Sequence, residues 1–382
     1  MNTTADVIII GGGVNGCSMA YHLAKRSAKV FLAERDFLAS GATGKCAGGI
    51  RQQFGTEVNT RLCMYSVKKY ETLAQELDRP FTFHQVGYLF VATTPEEMVN
   101  FRELYDMWQS VGLKEARLVN TDDIKAIEPH IYTDDLQGGS FCPTDGHADP
   151  NDATQAYAAA ARRLGAIIEE KCEVAAILTD GDKATGIRHN TGEVNAPITI
   201  LAAGPHSILL AEKIGLELPI KPYRRMLVYT DPFPDLPATM PMIVDIHTGN
   251  YMRKEGEGVL TGRANPNEPP SWSESVDMDW LWEIVESAIH RVPILEKASI
   301  QNKWAGLYDT TPDHHPLLGL APGWRNLYLA CGFSGHGFMQ APAIGTVMSE
   351  MILDGKATTI DIHSLRPTRF AEGEPIEEKQ VI

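Results

Sequence analysis

The chain has 382 residues, 43% hydrophobic and 22% charged, the composition of an ordinary globular protein long enough for two hydrophobic cores. Its net charge of −15 argues against nucleic acid or anionic membrane as partners, yet permits an anionic small molecule wherever a pocket gathers Arg or Lys. No stretch approaches the ~20 apolar residues of a membrane span, and no basic segment followed by an apolar run opens the chain, so neither an anchor nor a signal peptide is expected. The cysteines Cys17, Cys46, Cys63, Cys142, Cys172 and Cys331 form no C-x-x-C pair, which predicts small buried thiols in a reducing cytoplasm rather than disulfides or a zinc site.

In chain order, Asp6 to Ile10 reads as a buried strand, Val14 to Lys25 as a helix and Lys29 to Ala33 as a second strand, together a βαβ unit. Glu57 to Leu77 is apolar at near-helical period, as is the stretch from Met98 to Val111. Asp149 to Leu164 predicts an Ala-rich helix, and Ile198 to Ala203 a buried strand ending at Gly204. Pro232 to Pro241 should be irregular. Val259 to Gly262 reads as a strand, Asp277 to Ile289 as a helix and Leu327 to Ala330 as a last strand. A Gly-rich turn and a helix from Ala341 to Leu353 follow. There is no internal repeat.

Gly11-x-Gly13-x-x-Gly16 sits between the first strand and the first helix. In that context the first glycine permits a tight turn, the second lets the backbone approach a pyrophosphate, and the third lets helix pack on strand. The helix N-terminus offers free N–H groups to phosphates. Glu34, closing the second strand, stands where an acidic side chain bonds a ribose hydroxyl. This fingerprint fits NAD and FAD alike.

Three further segments carry a resemblance. Ser40-Gly41-Ala42-Thr43-Gly44 resembles the loop passing the pyrophosphate and ribityl chain of FAD. Thr199-Ile-Leu-Ala-Ala-Gly204 resembles a flavin-contact strand, and Gly332-Phe-Ser-Gly-His-Gly-Phe338 a flavin-ring motif. Together they are similar to the FAD-dependent amine oxidase family of D-amino-acid oxidase, glycine oxidase and sarcosine oxidase, over nearly the whole chain. Gly49-Ile-Arg-Gln-Gln-Phe-Gly55 and Trp304-Ala-Gly-Leu-Tyr-Asp-Thr-Thr-Pro-Asp313 look closest to glycine oxidase and to the β subunits of heterotetrameric sarcosine oxidase and dye-linked proline dehydrogenase.

The resemblance implies an α/β fold of the D-amino-acid oxidase type. A Rossmann-like, glutathione-reductase-like FAD domain (1–82, 144–218 and 306–370) is interleaved with a mixed-sheet substrate domain (83–143 and 219–305), and 371–382 form a tail. It implies a cofactor-binding set of Gly11, Gly13, Val14, Asn15, Gly16, Glu34, Arg35, Ser40, Thr43, Gly44, Cys46, Ala47, Gly48, Val174, Ala203, Gly204 and Gly306. Gly332, Phe333, Ser334, Gly335, His336, Gly337, Phe338 and Met339 complete it, wrapping the pyrimidine edge of the flavin with N–H groups that stabilise its reduced anion.

The implied reaction is oxidation of the C–N bond of a small amino acid, secondary or N-substituted (sarcosine, glycine, proline or an iminodiacetate-like compound), to an imine with hydride transfer to flavin N5. A 2-hydroxy acid or glycerol 3-phosphate substrate, and an electron-relay subunit, are the alternatives. Arg51 is the expected carboxylate anchor, its fork suited to bidentate contact; an internal pairing or a flavin contact are its other readings. Tyr308 is the expected second donor and Tyr251 a pocket tyrosine, against plainer readings as a core and a strand residue. His336 is either a donor or a structural hydrogen-bonding residue. His314-His315 reads as a turn before Pro316, and no metal site is expected.

Departures from the family also count. Gly306 replaces the cysteine that attaches FAD in monomeric sarcosine oxidase, which predicts noncovalent FAD. Met339 replaces one lysine, and Leu260 falls where an oxygen-activating lysine stands. The electron acceptor is therefore left as O2 or another species, with Arg253, Lys254 or His336 as substitutes for the lysine. Homo- and hetero-oligomers both remain open.

Overall fold

In the computed structural model, which describes residues 3–378 and 380, Val7–Ile10 is apolar and buried at all four positions. It lies inside a six-stranded sheet ordered Ile167–Glu169, Val30–Ala33, Val7–Ile10, Ile198–Leu201, Leu327–Cys331, Leu317–Leu320. All pairs are parallel except the last hairpin, and a parallel sheet buried on both faces selects continuous Val/Ile/Leu runs. The helix Val14–Lys25 follows the first of these strands and packs between Pro150–Arg163 and Gly337–Asp354. Ala153, Ala156 and Ala160 let the helices approach closely.

Gly337–Asp354 begins four residues before the expected start and so carries Pro342 inside it. A helical proline leaves the carbonyl four residues back without its N–H partner. Here the Tyr70 hydroxyl donates to the Phe338 carbonyl at 2.6 Å and fills that vacancy. The helix expected over Glu57 to Leu77 is broken at Thr72 into Glu57–Glu71 and Leu73–Leu77.

An eight-stranded sheet is ordered Ile300–Thr310, Lys221–Thr230, Gly258–Arg263, Asn250–Glu255, Met242–Asp245, Tyr88–Ala92, Gly138–Cys142, Arg117–Val119. Only the pair Met242–Asp245 with Tyr88–Ala92 is parallel. The boundary expected between 305 and 306 falls inside the strand Ile300–Thr310, which pairs along its length with Lys221–Thr230. Leu89, Val91, Ile243, Met252 and Val259 on one face pack with Ala288 and Val292 at the end of the helix Met278–Arg291. Period-2 alternation sends Tyr88, Phe90, Tyr251 and Arg253 to the other face. Two small sheets complete the fold: Thr3–Thr4 with Val174–Asp180, Lys183–His189 and Gly192–Asn195, and Gly49–Ile50 with Phe83–His84 and Gly146–Ala148. Among the described residues no helix is long and apolar enough to cross a membrane.

Candidate active site

A cleft of about 270 Å³ runs along the ends of the parallel strands. Its floor is main chain. Gly11 has φ +116°, and a Cβ there would lie 2.3 Å from the Ala202 carbonyl oxygen; a Cβ on Gly16 would lie 2.0 Å from that of Gly11. No larger residue fits either place. Val14 N–H donates to Thr43 Oγ1 at 3.2 Å, tying the 40–44 loop to the helix start. Glu34 accepts from Gly12 N–H at 2.7 Å and from Asp36 N–H at 2.8 Å, which fixes its carboxylate beside the glycines. Asn15 donates to the Gly337 carbonyl at 3.1 Å, while its Oδ1 is buried and unpartnered. A glycine cradle at a helix N-terminus, a fixed carboxylate and an unspent polar atom suit the pyrophosphate and ribose of an adenine dinucleotide.

Of the expected cofactor residues, Gly11, Gly13, Val14, Asn15, Gly16, Glu34, Arg35, Ser40, Thr43, Cys46, Val174, Ala203, Gly204, Phe333, Gly335, Gly337 and Phe338 line this cleft. Gly44, Ala47, Gly48, Gly306, Gly332, Ser334, His336 and Met339 do not line it. Gly48, with φ +67°, passes close to the Ala148 carbonyl, and Gly306 leaves room for Lys45, whose Cβ would lie 2.8 Å from an added one.

The turn Gly332–Phe338 spends part of its N–H supply internally. Gly332 N–H donates to the Asp309 carboxylate at 2.6 Å, Ser334 N–H to the Asp309 carbonyl at 3.1 Å and His336 N–H to the Phe333 carbonyl at 2.9 Å. Three of the N–H groups expected to face the flavin edge are thereby spent within the fold, and the helix that begins at Gly337 adds the N–H groups of its own first turn. Burial pushes the Asp309 carboxyl up to about 6. His336 packs edge-on against Phe54 with ring centroids 4.9 Å apart, and its Nδ1 is buried without a partner. Burial and the nearby Arg51 charge hold it well below the usual histidine range, so the ring is neutral at pH 7.

Of the residues expected on the substrate side, Tyr251 and Tyr308 lie on the inner face of the eight-stranded sheet. Strand register does this: Tyr308 pairs with Tyr223, Gly306 with Arg225, and Leu227 with Gly262, which pairs in turn with Tyr251. Paired residues in antiparallel strands share a face. Gly262 makes room for the Tyr251 hydroxyl, which an added Cβ would meet at 2.6 Å, and Gly335 for the Tyr308 ring, at 2.3 Å. Burial raises both phenols, against the pull of Arg225 on each. A small cavity between Arg225, Tyr251, Tyr308, Gly306 and Lys45 shares Ala42, Cys46, Leu307 and Tyr308 with the cofactor cleft.

Arg51 is 1% exposed, with its guanidinium 4.1 Å from the Phe54 ring centroid and 5.3 Å from that of Phe90. It donates to the Gln53 carbonyl at 3.0 Å and to the carbonyl of Gln380. Gln52 and Gln53, which hold this loop, bond the buried Asp145, and Ser140 donates to Gln53 Oε1 at 2.7 Å. Burial raises the Asp145 carboxyl to about 6. The C-terminal segment, read from sequence as a separate tail, is part of this construction. Glu378 accepts from Gly55 N–H, from Thr56 Oγ1 at 3.0 Å and from Asn59 Nδ2 at 2.9 Å. No periodicity in 371–382 signals this role.

Other residues line no part of the small cavity around Tyr251 and Tyr308. His315 bonds the Asp313 carbonyl at 2.8 Å and Thr56 Oγ1 at 2.9 Å, while Arg369 pairs with Asp313 in the core. Glu169, Cys172 and His189 bring ligand atoms within 4.8 Å of one another, a grouping that reading along the chain did not single out; Glu169 is exposed and burial lifts the Cys172 thiol to about 11. Arg225, Asp309, Asp145 and Gln380 were not singled out either. Only strand register or chain return places them here.

The model of a family described as "FAD dependent oxidoreductase" matches residues 6–351. Rat mitochondrial dimethylglycine dehydrogenase is 32% identical over 96% of this chain, which spans only 45% of the length of that relative. The sarcosine oxidase subunit beta of Arthrobacter sp is 30% identical over 98% of this chain and 93% of its own length. Among solved structures, L-proline dehydrogenase from P. horikoshii is 32% identical with a TM-score of 0.92, covering 98% of this chain and 100% of that one. Glycine oxidase from Geobacillus kaustophilus is 27% identical with a TM-score of 0.85, covering 96% and 99%.

Proposed function

Since the chain belongs to the FAD dependent oxidoreductase family, with FAD as its cofactor, we propose that it oxidises the C–N bond of a small amino acid, secondary or N-substituted, to an imine. The observation that carries this reading is the tyrosine pair Tyr251 and Tyr308, beside Arg225, in a cavity that adjoins the cofactor cleft through Tyr308 and Cys46. The sarcosine oxidase subunit and proline dehydrogenase named above support it.

FAD, when bound, supplies the electrophile that takes up the hydride equivalent. The chain's own residues position the substrate. Arg51 holds its carboxylate, which takes the place of the Gln380 carbonyl on the guanidinium. Tyr308 and Tyr251 stay protonated because burial raises their phenols, so they act as hydrogen-bond donors and not as bases. Low polarity beneath the sheet favours the unprotonated amine, the reactive form. A 2-hydroxy acid would need a base for its hydroxyl proton, and the depressed pKa of His336 makes it a weak one. The noncovalent attachment of FAD follows from Gly306. The six free cysteines support a reducing, cytoplasmic setting, and the β-subunit relative supports assembly with other chains.

The electron acceptor in this reading is a partner protein or dye in preference to O2. A cation over the cofactor favours superoxide, and the substitutes for the missing lysines are committed elsewhere. Arg253 is bonded to the Ala47 and Lys254 carbonyls and to Glu255; Lys254 donates to the Phe233 and Glu257 carbonyls. His336 is neutral.

Anaerobic titration of the yellow protein with sarcosine, proline, glycine, iminodiacetate, lactate and glycerol 3-phosphate tests the reaction. Bleaching by an amine and not by the alcohols is expected; bleaching by lactate or glycerol 3-phosphate alone would refute it. Stopped-flow reoxidation of the bleached protein with air-saturated buffer and with a dye tests the acceptor. Reoxidation by oxygen that keeps pace with turnover would make the protein an oxidase.

A further inference from the structure

Arg224 and Arg225 are neighbours on the strand Lys221–Thr230, so their side chains leave opposite faces of the sheet. They are satisfied very differently. Arg224 pairs with Glu268 at 3.0 Å and Asp277 at 3.1 Å, and also donates to the Ser275 carbonyl. Arg225 spends one Nη on the Arg224 carbonyl at 2.9 Å. Its Nε is buried with no partner at all. Its guanidinium carbon lies 5.2 Å from the Tyr308 ring centroid and 5.7 Å from that of Tyr223. Among the described residues no carboxylate pairs with it. Lys45, the other cation on this small cavity, is already taken by Glu274 at 2.6 Å.

Arg51 shares the property: its donors rest on main-chain carbonyls, and no described carboxylate pairs with it. In a chain with 49 acidic side chains against 34 Lys and Arg, two guanidiniums whose charges both reach Tyr308, the buried Arg51 and the half-buried Arg225, thus have no carboxylate at ion-pair distance among the described residues. Enclosed charge without a partner is costly, and the cost is retained where a ligand supplies the partner. One substrate carboxylate on Arg51 answers only half of this.

We propose that Arg225 is a specificity residue that receives a second carboxylate, so that the substrate is an amine bearing two. One carboxylate goes to Arg51 and the other to Arg225, with Tyr251 and Tyr308 beside the chain that joins them. The inference rests on the amine-oxidation reading above and narrows its substrate class. An iminodiacetate-like compound carries the second carboxylate on nitrogen, a glutamate-like one on the side chain; the chemistry recognised by Arg225 is the same.

Binding of unreactive analogues separates this inference from the reaction itself. Thiodiacetate and methylthioacetate have sulfur in place of the amine nitrogen, hence no C–N bond to oxidise, and differ by one carboxylate. Glutarate and pentanoate make the same comparison for a side-chain carboxylate. Each is titrated calorimetrically into the full FAD-loaded chain. In at least one pair the dicarboxylate is expected to bind at least about tenfold more tightly. Arg225→Gln should collapse that ratio towards one, and Arg225→Lys, which keeps charge but loses the fork, should keep part of it. Flavin content and the melting temperature report whether each variant is intact, and the wild-type ratio stands if Arg225→Gln does not fold. Equal affinities within both pairs, no measurable dicarboxylate binding, or an Arg225→Gln variant that weakens both members of a pair alike would overturn the proposal. A protein that binds the dicarboxylates selectively, yet is bleached by no amine, would instead overturn the reaction assigned above.

Discussion

The phosphate end of the site and its substrate end are built by different means. Around Gly11–Gly16 recognition is main-chain work: absent side chains, a helix start and one carboxylate, all within one βαβ unit. On the sheet face, recognition is side-chain work. Tyr251, Arg225 and Tyr308 come from three strands, while Arg51 stands on a loop, with Gln380 arriving from the far end of the chain. The first kind of site tolerates no added atom, whereas the second should degrade in steps as donors are removed. The difference can be broken or sharpened by substitution.

The largest effect is expected at Gly11. Gly11→Val puts a Cβ against the Ala202 carbonyl, where 2.3 Å is available, at a φ of +116° that L-residues avoid. The purified variant should be colourless, with FAD affinity reduced at least about a hundredfold. Gly41→Ala, where nothing lies within 4 Å of the added atom, should stay yellow. Flavin absorbance per chain measures both. A yellow Gly11→Val protein would mean that the cradle is not the FAD site.

Arg51 comes next. A charge-assisted contact to a carboxylate is worth on the order of 1.5–3 kcal/mol, so Arg51→Ala should raise the dissociation constant for sarcosine about ten- to a hundredfold with FAD retained. Arg51→Lys should recover only part, because it cannot hold two oxygens at once. Melting should also shift down in Arg51→Ala, since the side chain lies between Phe54 and Phe90. Flavin reduction at low substrate as fast as in the unsubstituted protein would remove Arg51 from the anchor role.

The same contrast explains what could be read in advance. The glycine fingerprint, Glu34 and the strands beside them are local patterns, and each lies where its sequence context put it. Gly332–Phe338 was legible as a motif, but its N–H accounting was not. Asp309, 23 residues before Gly332, takes a donor that the glycines alone leave free. Arg225 adjoins an arginine that is fully ion-paired, and only strand parity separates the two. Gln380 reaches Arg51 across 329 residues. Register and chain return are properties of the folded chain, with no signature in a window of sequence.

Tyr308 should give the smallest effect. Its ring lies against Gly335, and it lines both the cofactor cleft and the Arg225 cavity. Burial keeps the phenol protonated at neutral pH, so in the proposed reading its part is to donate one hydrogen bond to a substrate carboxylate. That carboxylate does not change charge as the C–N bond is oxidised, so the contact serves the ground and transition states alike. Tyr308→Phe removes the hydroxyl and keeps the ring. The dissociation constant for sarcosine should rise about threefold to tenfold, while the rate of flavin reduction at saturating substrate changes by less than about twofold. Anaerobic stopped-flow reduction across a range of substrate concentrations measures the two separately. If the saturating rate collapsed and the affinity held, the hydroxyl would be acting on the reacting atoms, and the stepwise loss expected of the sheet face would not apply to Tyr308.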